Sequence, residues 1–312
     1  MILISAVICT YNRADMLPGA INSLVQQSLD PQQFEIIIVD NASTDDSAAL
    51  VRTFQVEYTQ HSIVLLHEAR QGLSYARNRA WQHAKGQFVA YLDDDAKAGP
   101  NWLKDALQLF DTIGPTPLCL GGPAYPFYTT AKPDWFQDTY EIRSWGNEAR
   151  FLDEGEAFAG LNMIWQKETL KQYGGFDVSL GVTGDYLLLG EESALFRKIW
   201  QESDHANFYY SPALHVQHWV PPTKMTVWYK LKRPFVSGRT WHTRYQTNDL
   251  SNRLKISGQL VWYCVKVALV SPKHVRQYAY WQNWLIEEWT PIMRRLGAVF
   301  GMWGIFVSLK QR

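Results

Sequence analysis

Hydrophobic positions fall first into short unbroken runs and then, past the middle of the chain, into helical stripes. Residues 2–9, 34–39, 63–67 and 88–92 are apolar runs rich in Ile, Val, Leu and Phe. Between and after them, residues 15–27, 43–54, 74–83 and 101–110 carry apolar positions three and four apart. Runs this short predict strands, and their lack of alternation predicts burial on both faces of a sheet. Strands alternating with helices predict an α/β fold, a mostly parallel sheet covered by helices. Residues 113–150 are rich in Pro, Gly and aromatics and predict little regular structure. Helices are predicted over 163–173 and 193–203, and a helical region beyond 214. Residues 296–309 form an uncharged stretch between Arg294-Arg295 and Lys310-Gln311-Arg312. A spanning helix needs about 20 apolar residues, so this stretch reads as either a buried or an interfacial helix.

The polar residues that end the apolar runs carry the candidate chemistry. The run over 88–92 ends in Asp93-Asp94-Asp95. Adjacent carboxylates repel, and each raises its neighbours' affinity for protons; a hard divalent cation relieves the repulsion. Strand alternation sends Asp93 and Asp95 one way and Asp94 the other. The three acids form either a metal and hydroxyl site or a solvated turn. Thr10-Tyr11-Asn12-Arg13 closes the first run and Asp40-Asn41 the second. In an open parallel sheet such loops meet where a nucleotide lies. Asp40 can accept a hydrogen bond from an imide N–H, as in uracil, or from a ribose hydroxyl. Arg70 and Arg77 flank Gly72. They supply charge near a phosphate or base, or else form salt bridges. The glycine-rich loops of dinucleotide oxidoreductases and P-loop enzymes are absent.

The formal net charge of zero hides an asymmetry. Residues 1–212 hold 15 Lys+Arg against 27 Asp+Glu, a net of −12, and residues 213–312 hold 15 against three, a net of +12. The basic part also holds eight of the 14 tryptophans. Basic charge with Trp fits a membrane interface or an anionic phosphate ligand. Nucleic acid is a further option that the other features do not favour. Three scattered cysteines show neither a disulfide framework nor zinc spacing, which fits a reducing cytosol. The apolar N-terminus lacks a basic flank and reads as a first strand rather than a signal peptide.

Taken in order, 7–13, 39–46, 72–78, Asp93-Asp94-Asp95, Gly174-Gly175-Phe176-Asp177 and Gly190-Glu191-Glu192 make the chain resemble the family 2 glycosyltransferases over roughly residues 1–240. The resemblance implies a GT-A (Rossmann-like) catalytic domain over 1–220, with a donor half to about 112 and an acceptor half beyond it. Residues 221–312 then form the basic, Trp-rich helical extension. It also implies a nucleoside-diphosphate sugar donor, most often a UDP-sugar, a Mn2+ or Mg2+ ion, and inversion at the anomeric carbon. By position, Thr10, Tyr11, Asn12, Arg13, Asp40, Arg77, Asp93 and Asp94 fall on the donor site. Asp93, Asp95 and His218 fall on the metal. The family commonly has Glu-Asp followed by Leu-x-x-Arg where this chain has Glu191-Glu192, and its second acid is the base. Glu192 takes that role, with Glu191 as the alternative because the extra methylene changes the reach. Either acid also suits a helix N-terminus. Asp177 and Trp165 are acceptor candidates, with Trp145 and Tyr186 as further stacking faces.

The expected activity is metal-dependent, inverting transfer of a sugar to a glycan or lipid-linked acceptor, in polysaccharide assembly at the cell surface. The expected setting is cytoplasmic, with peripheral contact at the inner membrane face. A sugar-nucleotide nucleotidyltransferase and a degenerate, non-catalytic nucleotide- or glycan-binding protein are the alternatives. The first lacks a Gly-rich basic loop near the N-terminus, and intact acids argue against the second.

Overall fold

The computed structural model describes residues 1–181, 190–245 and 250–305. In chain order the elements are β1 (Ile4–Thr10), α1 (Leu17–Val25), β2 (Phe34–Asp40), α2 (Ser47–Glu57), β3 (Ser62–His67), α3 (Leu73–His83), β4 (Phe88–Asp93), β5 (Ala96–Ala98), α4 (Trp102–Thr112), β6 (Cys119–Gly121), β7 (Ala124–Phe127), β8 (Arg150–Phe151), β9 (Asn162–Gln166), α5 (Lys167–Tyr173), α6 (Glu191–Glu202), β10 (Phe208–Tyr210), β11 (Val216–Trp219), α7 (Val227–Tyr245), α8 (Leu250–His274) and α9 (Trp281–Met302). They form two compact units. The first takes in described residues to 127, from 141 to 181 and from 191 to 219; the second takes in 128–140 and the chain from 220 onward.

The first unit is built on an eight-stranded sheet of order β3-β2-β1-β4-β9-β6-β10-β8. Strands β3, β2, β1 and β4 are parallel. Both faces of the sheet are buried, which explains the unbroken runs. Ile4, Ala6 and Ile8 of β1 face one core with Leu17, Ile21, Val51 and Trp102 from α1, α2 and α4. Val7 faces the other with Ala76, Leu170 and Phe196 from α3, α5 and α6. A fully buried aliphatic side chain contributes about 1.5–3 kcal/mol, so each strand is fixed from both sides.

Two sequence expectations are corrected here. The segment expected as one helix over 163–173 is strand β9 followed by α5. Met163 and Trp165 fill one core and Ile164 the other, a period of two. The slot between β4 and β6 imposes that period, and β9 runs antiparallel to both neighbours. The sheet is therefore mixed. Helix α6 starts at Glu191 rather than Ser193, so both acids lie in its first turn.

In the second unit, residues 296–302 of the uncharged stretch belong to α9. Gly297, Ala298, Gly301 and Met302 are buried there, so this is a core helix rather than a lipid-facing one. Residues 306–309 lie outside the described residues. Helix α9 packs closely on α7 because both present glycine. A Cβ on Gly297 would run into the Phe235 carbonyl, and one on Gly238 into that of Arg294. Residues 128–140 are held in the same unit. Phe136 packs on Val220 and Met225, and Asn283 Nδ2 donates to the Trp135 carbonyl at 2.6 Å. Among the described residues no helix is long and apolar enough to cross a membrane.

Replacing Gly297 with Val should separate α7 from α9 and destabilise the second unit by at least about 2 kcal/mol, as overpacking does. Gly258 of α8 has open space around its Cβ position. Gly258→Ala should therefore stabilise by up to about 1 kcal/mol through helix propensity. Urea denaturation followed by circular dichroism reads both, and equal midpoints for the two variants would refute the close α7–α9 contact.

Candidate active site

Parallel register brings the polar strand ends together. Thr10 pairs with Asp40, and Cys9 with Asp93, across adjacent strands. The loop after β1 is pinned to the loop after β2. The Asn12 N–H donates to Ser43 Oγ (3.0 Å), the Thr44 N–H to Asn12 Oδ1 (2.7 Å), and the Ala14 N–H to Asp45 Oδ2 (3.0 Å). Asn12 sits at φ +52°, a left-handed conformation that Asn tolerates. Its side chain is thus occupied in shaping the loop. Tyr11 Oη accepts from Gln71 Nε2 (3.0 Å). Asp40 is buried; its Oδ1 accepts the Ser43 N–H (3.0 Å), and His67 Nδ1 lies 3.3 Å from its Oδ2.

The three acids at the end of β4 divide as strand alternation predicts. Asp94 turns to Thr10, whose Oγ1 donates to Asp94 Oδ2 at 2.8 Å. Asp93 and Asp95 turn to His218, and a ligand atom from each of the three lies within 4.8 Å of the others. Strand β11 delivers the histidine. It pairs antiparallel with β5, setting His218 opposite Ala96, and the Trp219 N–H donates to the Asp95 carbonyl. His218 Nε2 is 3.3 Å from Asp95 Oδ1, and Arg13 Nη2 is 3.7 Å from Asp95 Oδ2.

Burial, reinforced by the Asp95 charge, raises Asp94 to about 7. Burial also raises Asp93, against the pull of Arg77. Two crowded carboxylates, Asp93 and Asp95, with an imidazole nitrogen beside them, suit a divalent cation. Two oxygens and one nitrogen match Mn2+ well and Mg2+ less closely.

Arg77, expected near the nucleotide, pairs with two carboxylates. It is buried on α3, with Nη1 2.7 Å from Glu191 Oε1 and Nη2 3.6 Å from Asp93 Oδ1. Glu191 is buried as well, so this acid is committed to Arg77. Glu192, one residue on, is only partly buried. Its Oε2 is shielded from solvent and has no hydrogen-bond partner among the described residues. Glu192 lines a cavity of about 350 Å3 with Ser193, Phe158, Asn162, Ser144 and Trp145. Arg70, by contrast, forms the surface salt bridge that was its alternative, with Nε 2.8 Å from Glu68 Oε1.

The acceptor-side expectations fare unevenly. Trp165 offers no face to a sugar. It is fully buried on β9, with ring centroids 4.7 Å from Phe196 and 5.9 Å from Phe208. Period-two burial, unseen when the segment read as a helix, explains this correction. Trp145 instead stands half-exposed on the cavity wall. Asp177 is exposed and accepts the Ser179 N–H at 2.8 Å. The Gly174-Gly175-Phe176 turn before it docks on α3, where Asn78 bonds Phe176 through both its N–H and its carbonyl. Gly174 and Gly175 have positive φ, and a Cβ on Gly175 would collide with the Asn78 side chain. Tyr186 lies outside the described residues. The sequence places Asn41 beside Asp40 at the end of the second run without giving it a role, and gives no sign of Asn162. Asn41 Oδ1 accepts the Gly72 N–H, and its Nδ2 donates to the Arg70 carbonyl (2.7 Å), tying the β2 and α3 loops together. Asn162 accepts from Trp102 Nε1 at 3.0 Å behind the cavity. An isolated Asn carries no periodic signal by which to find it.

With this geometry in place, comparison with known proteins identifies the chain. The sequence profile described as "Glycosyl transferase family 2" matches residues 5–157. The chain belongs to glycosyltransferase family 2. Nucleotide-sugar-dependent glycosyl transfer is the chemistry of that family. Glucosyl-dolichyl phosphate glucuronosyltransferase of Haloferax volcanii is 24% identical over 213 residues, covering 66% of this chain and 66% of that protein. The chain thus spans just under two thirds of that relative's length. Succinoglycan biosynthesis protein ExoM of Rhizobium meliloti is 27% identical over 75% of this chain and 72% of its own. The mannosyltransferase PcManGT of Pyrobaculum calidifontis, solved with GDP-Man and Mn2+, superposes with a TM-score of 0.66 at 18% identity, over 96% of this chain and 87% of its own. At that identity the likeness establishes the GT-A fold.

Replacing Arg77 with Met should strand the buried Glu191 carboxylate and destabilise the first unit by about 3–5 kcal/mol. Pairing it with Glu191→Leu should recover most of the loss. A double-mutant cycle in urea reads the coupling; additive effects would show that Arg77 does not carry Glu191.

Proposed function

We propose that the chain catalyses metal-dependent, inverting transfer of a sugar from a nucleoside-diphosphate donor to a glycan or lipid-linked acceptor. The observation that carries this reading is the convergence of Asp93, Asp95 and His218 at the strand ends, beside a cavity walled by Glu192. The relative named for a dolichyl-phosphate-linked glucose supports a lipid-linked acceptor, and the relative named for succinoglycan biosynthesis supports a polysaccharide one.

The donor's base lies against Asp40, whose carboxylate can accept from uracil N3–H or equally from the N–H groups of guanine. Thr10, Tyr11, Asn12 and Arg13 wall the same loop, and Arg13 adds positive charge beside Asp95. Asp93, Asp95 and His218 hold Mn2+ or Mg2+. When bound, the ion offsets charge that builds on the departing diphosphate. Glu192 accepts the proton of the acceptor hydroxyl as that oxygen bonds to the anomeric carbon. The bond from the anomeric carbon to the diphosphate oxygen breaks, and its electron pair leaves with the nucleoside diphosphate. One displacement from the opposite face inverts the centre, by the geometry that applies to inverting glycosidases. Glu191, fixed by Arg77, holds the first turn of α6 so that Glu192 meets the cavity. The setting is the cytoplasmic side of a membrane, with peripheral contact.

Glu192→Gln should leave donor affinity unchanged and slow transfer by about a hundredfold to ten-thousandfold, the usual scale for a lost general base. Full activity in this variant would return the role to Glu191. Calorimetric titration of UDP and GDP, with and without Mn2+, tests the donor site. Tight binding of either that needs the metal, and that Asp95→Ala abolishes, is the expected result. Equal affinity without the metal would remove the ion from the reading, and the preferred base would name the donor.

A further inference from the structure

Helix α8 presents an apolar face that no described residue covers. Leu250, Leu254, Val261, Trp262, Val265 and Leu269 are each between 51% and 75% exposed. With Gly258 they recur three and four residues apart and occupy an arc of roughly 120° on the helix surface. The opposite face is accounted for, since Ile256 packs against Ala298 and Met302 of α9. A 25-residue helix thus spends its buried face on its own unit and holds a second, continuous apolar stripe in the open. Scattered exposed apolar residues are ordinary, but an unbroken stripe along one helix is not.

Charge identifies the occupant. Helix α8 contains no Asp or Glu, and Lys255 and Lys266 stand exposed along the edge of the stripe nearest Trp262. Lys266 Nζ lies 5.6 Å from the Trp262 ring centroid. Lysines on such an edge snorkel towards phosphate while their stems extend the apolar surface. Trp is suited to the same boundary, apolar on its face and polar at its N–H. A helix lying in the membrane plane has this composition: apolar on one side, basic at the rim and without acids.

We propose that α8 lies flat on an anionic lipid bilayer, its stripe from Leu250 to Leu269 at the acyl boundary and Lys255 and Lys266 among the headgroup phosphates. This deepens the peripheral contact included in the proposed function and assigns it, within the basic C-terminal region, to α8 rather than to the 296–302 turns of α9, where Gly297, Ala298, Gly301 and Met302 are buried. It does not depend on which sugar is transferred or on catalysis.

Flotation of the full-length protein with vesicles of phosphatidylcholine alone, or with added phosphatidylglycerol, tests the proposal without any donor. Binding should require the anionic lipid and weaken with salt. The triple substitution Val261→Ser, Val265→Ser and Leu269→Ser should reduce partitioning at least about tenfold, since binding scales with buried apolar area. Lys255→Gln with Lys266→Gln should weaken it by about fivefold per lysine, the cost of one lost charge near an anionic surface. These side chains are exposed, so thermal midpoints should hold; if the serine variant fails to fold, the lysine pair still decides. Wild-type protein that stays unbound, or variants that bind as well as wild type, would overturn the proposal. So would lipid-free self-association, read by sedimentation velocity, that the serine variant abolishes, because a second copy would then be what covers the stripe. Metal-dependent nucleotide binding, measured separately by calorimetry, should be the same in all these proteins, so loss of vesicle binding and loss of the donor site are told apart.

Discussion

Arg77 is the charge on which the site depends. A buried guanidinium is costly unless it is paired, and here carboxylates from two distant parts of the chain pair with it. Glu191 takes one nitrogen at 2.7 Å and Asp93 the other at 3.6 Å. The end of β4 and the first turn of α6 are therefore tied to the same side chain on α3. That tie lets two adjacent glutamates differ. One is held by the buried cation; the other lines a cavity. Neighbouring acids with different surroundings are how one protein assigns separate tasks to like groups.

Electrostatic tension is concentrated on the other side of the same strand end. Three consecutive carboxylates would spread apart in water; the fold instead fixes each. Thr10 holds Asp94, Arg13 and His218 approach Asp95, and Arg77 approaches Asp93. These hydrogen bonds and cations turn Asp94 aside and leave ligand atoms of Asp93, Asp95 and His218 within 4.8 Å of one another. The loops around them are pinned by Asn12, Asn41 and Asn78, whose side chains bond backbone groups of neighbouring loops. A rigid rim of this kind sets the site without a dedicated metal cage.

The second unit follows another physical rule. Glycine lets α7 and α9 come within backbone contact, and residues 128–140 are stitched to them by Asn283 and Lys230. Helix α8 contributes one face to this packing and leaves the other exposed. Two of the 15 basic residues beyond 212, Lys255 and Lys266, stand at the edge of that exposed face.

Much of this protein was legible in its residues alone. Apolar runs of strand length, broken by amphipathic segments, determined the parallel half of the sheet, because burial on both faces leaves no room for alternation. The acids at the end of β4 and the paired glutamates of α6 announced themselves because charge at the end of an apolar run needs a reason. What the sequence left undecided turned on partners far away in the chain. Segment 163–166 became a strand only because β4 and β6 left a slot between them. That slot took Trp165 out of reach of any sugar and left the cavity to Trp145. Sequence spacing could not distinguish Glu191 from Glu192, since they differ only in which one meets Arg77, 114 positions away. Nor could hydropathy say which C-terminal helix was core and which was surface. An apolar stripe reads alike in both, and only the packing of α9 on α7 settled that α8 was the one left exposed.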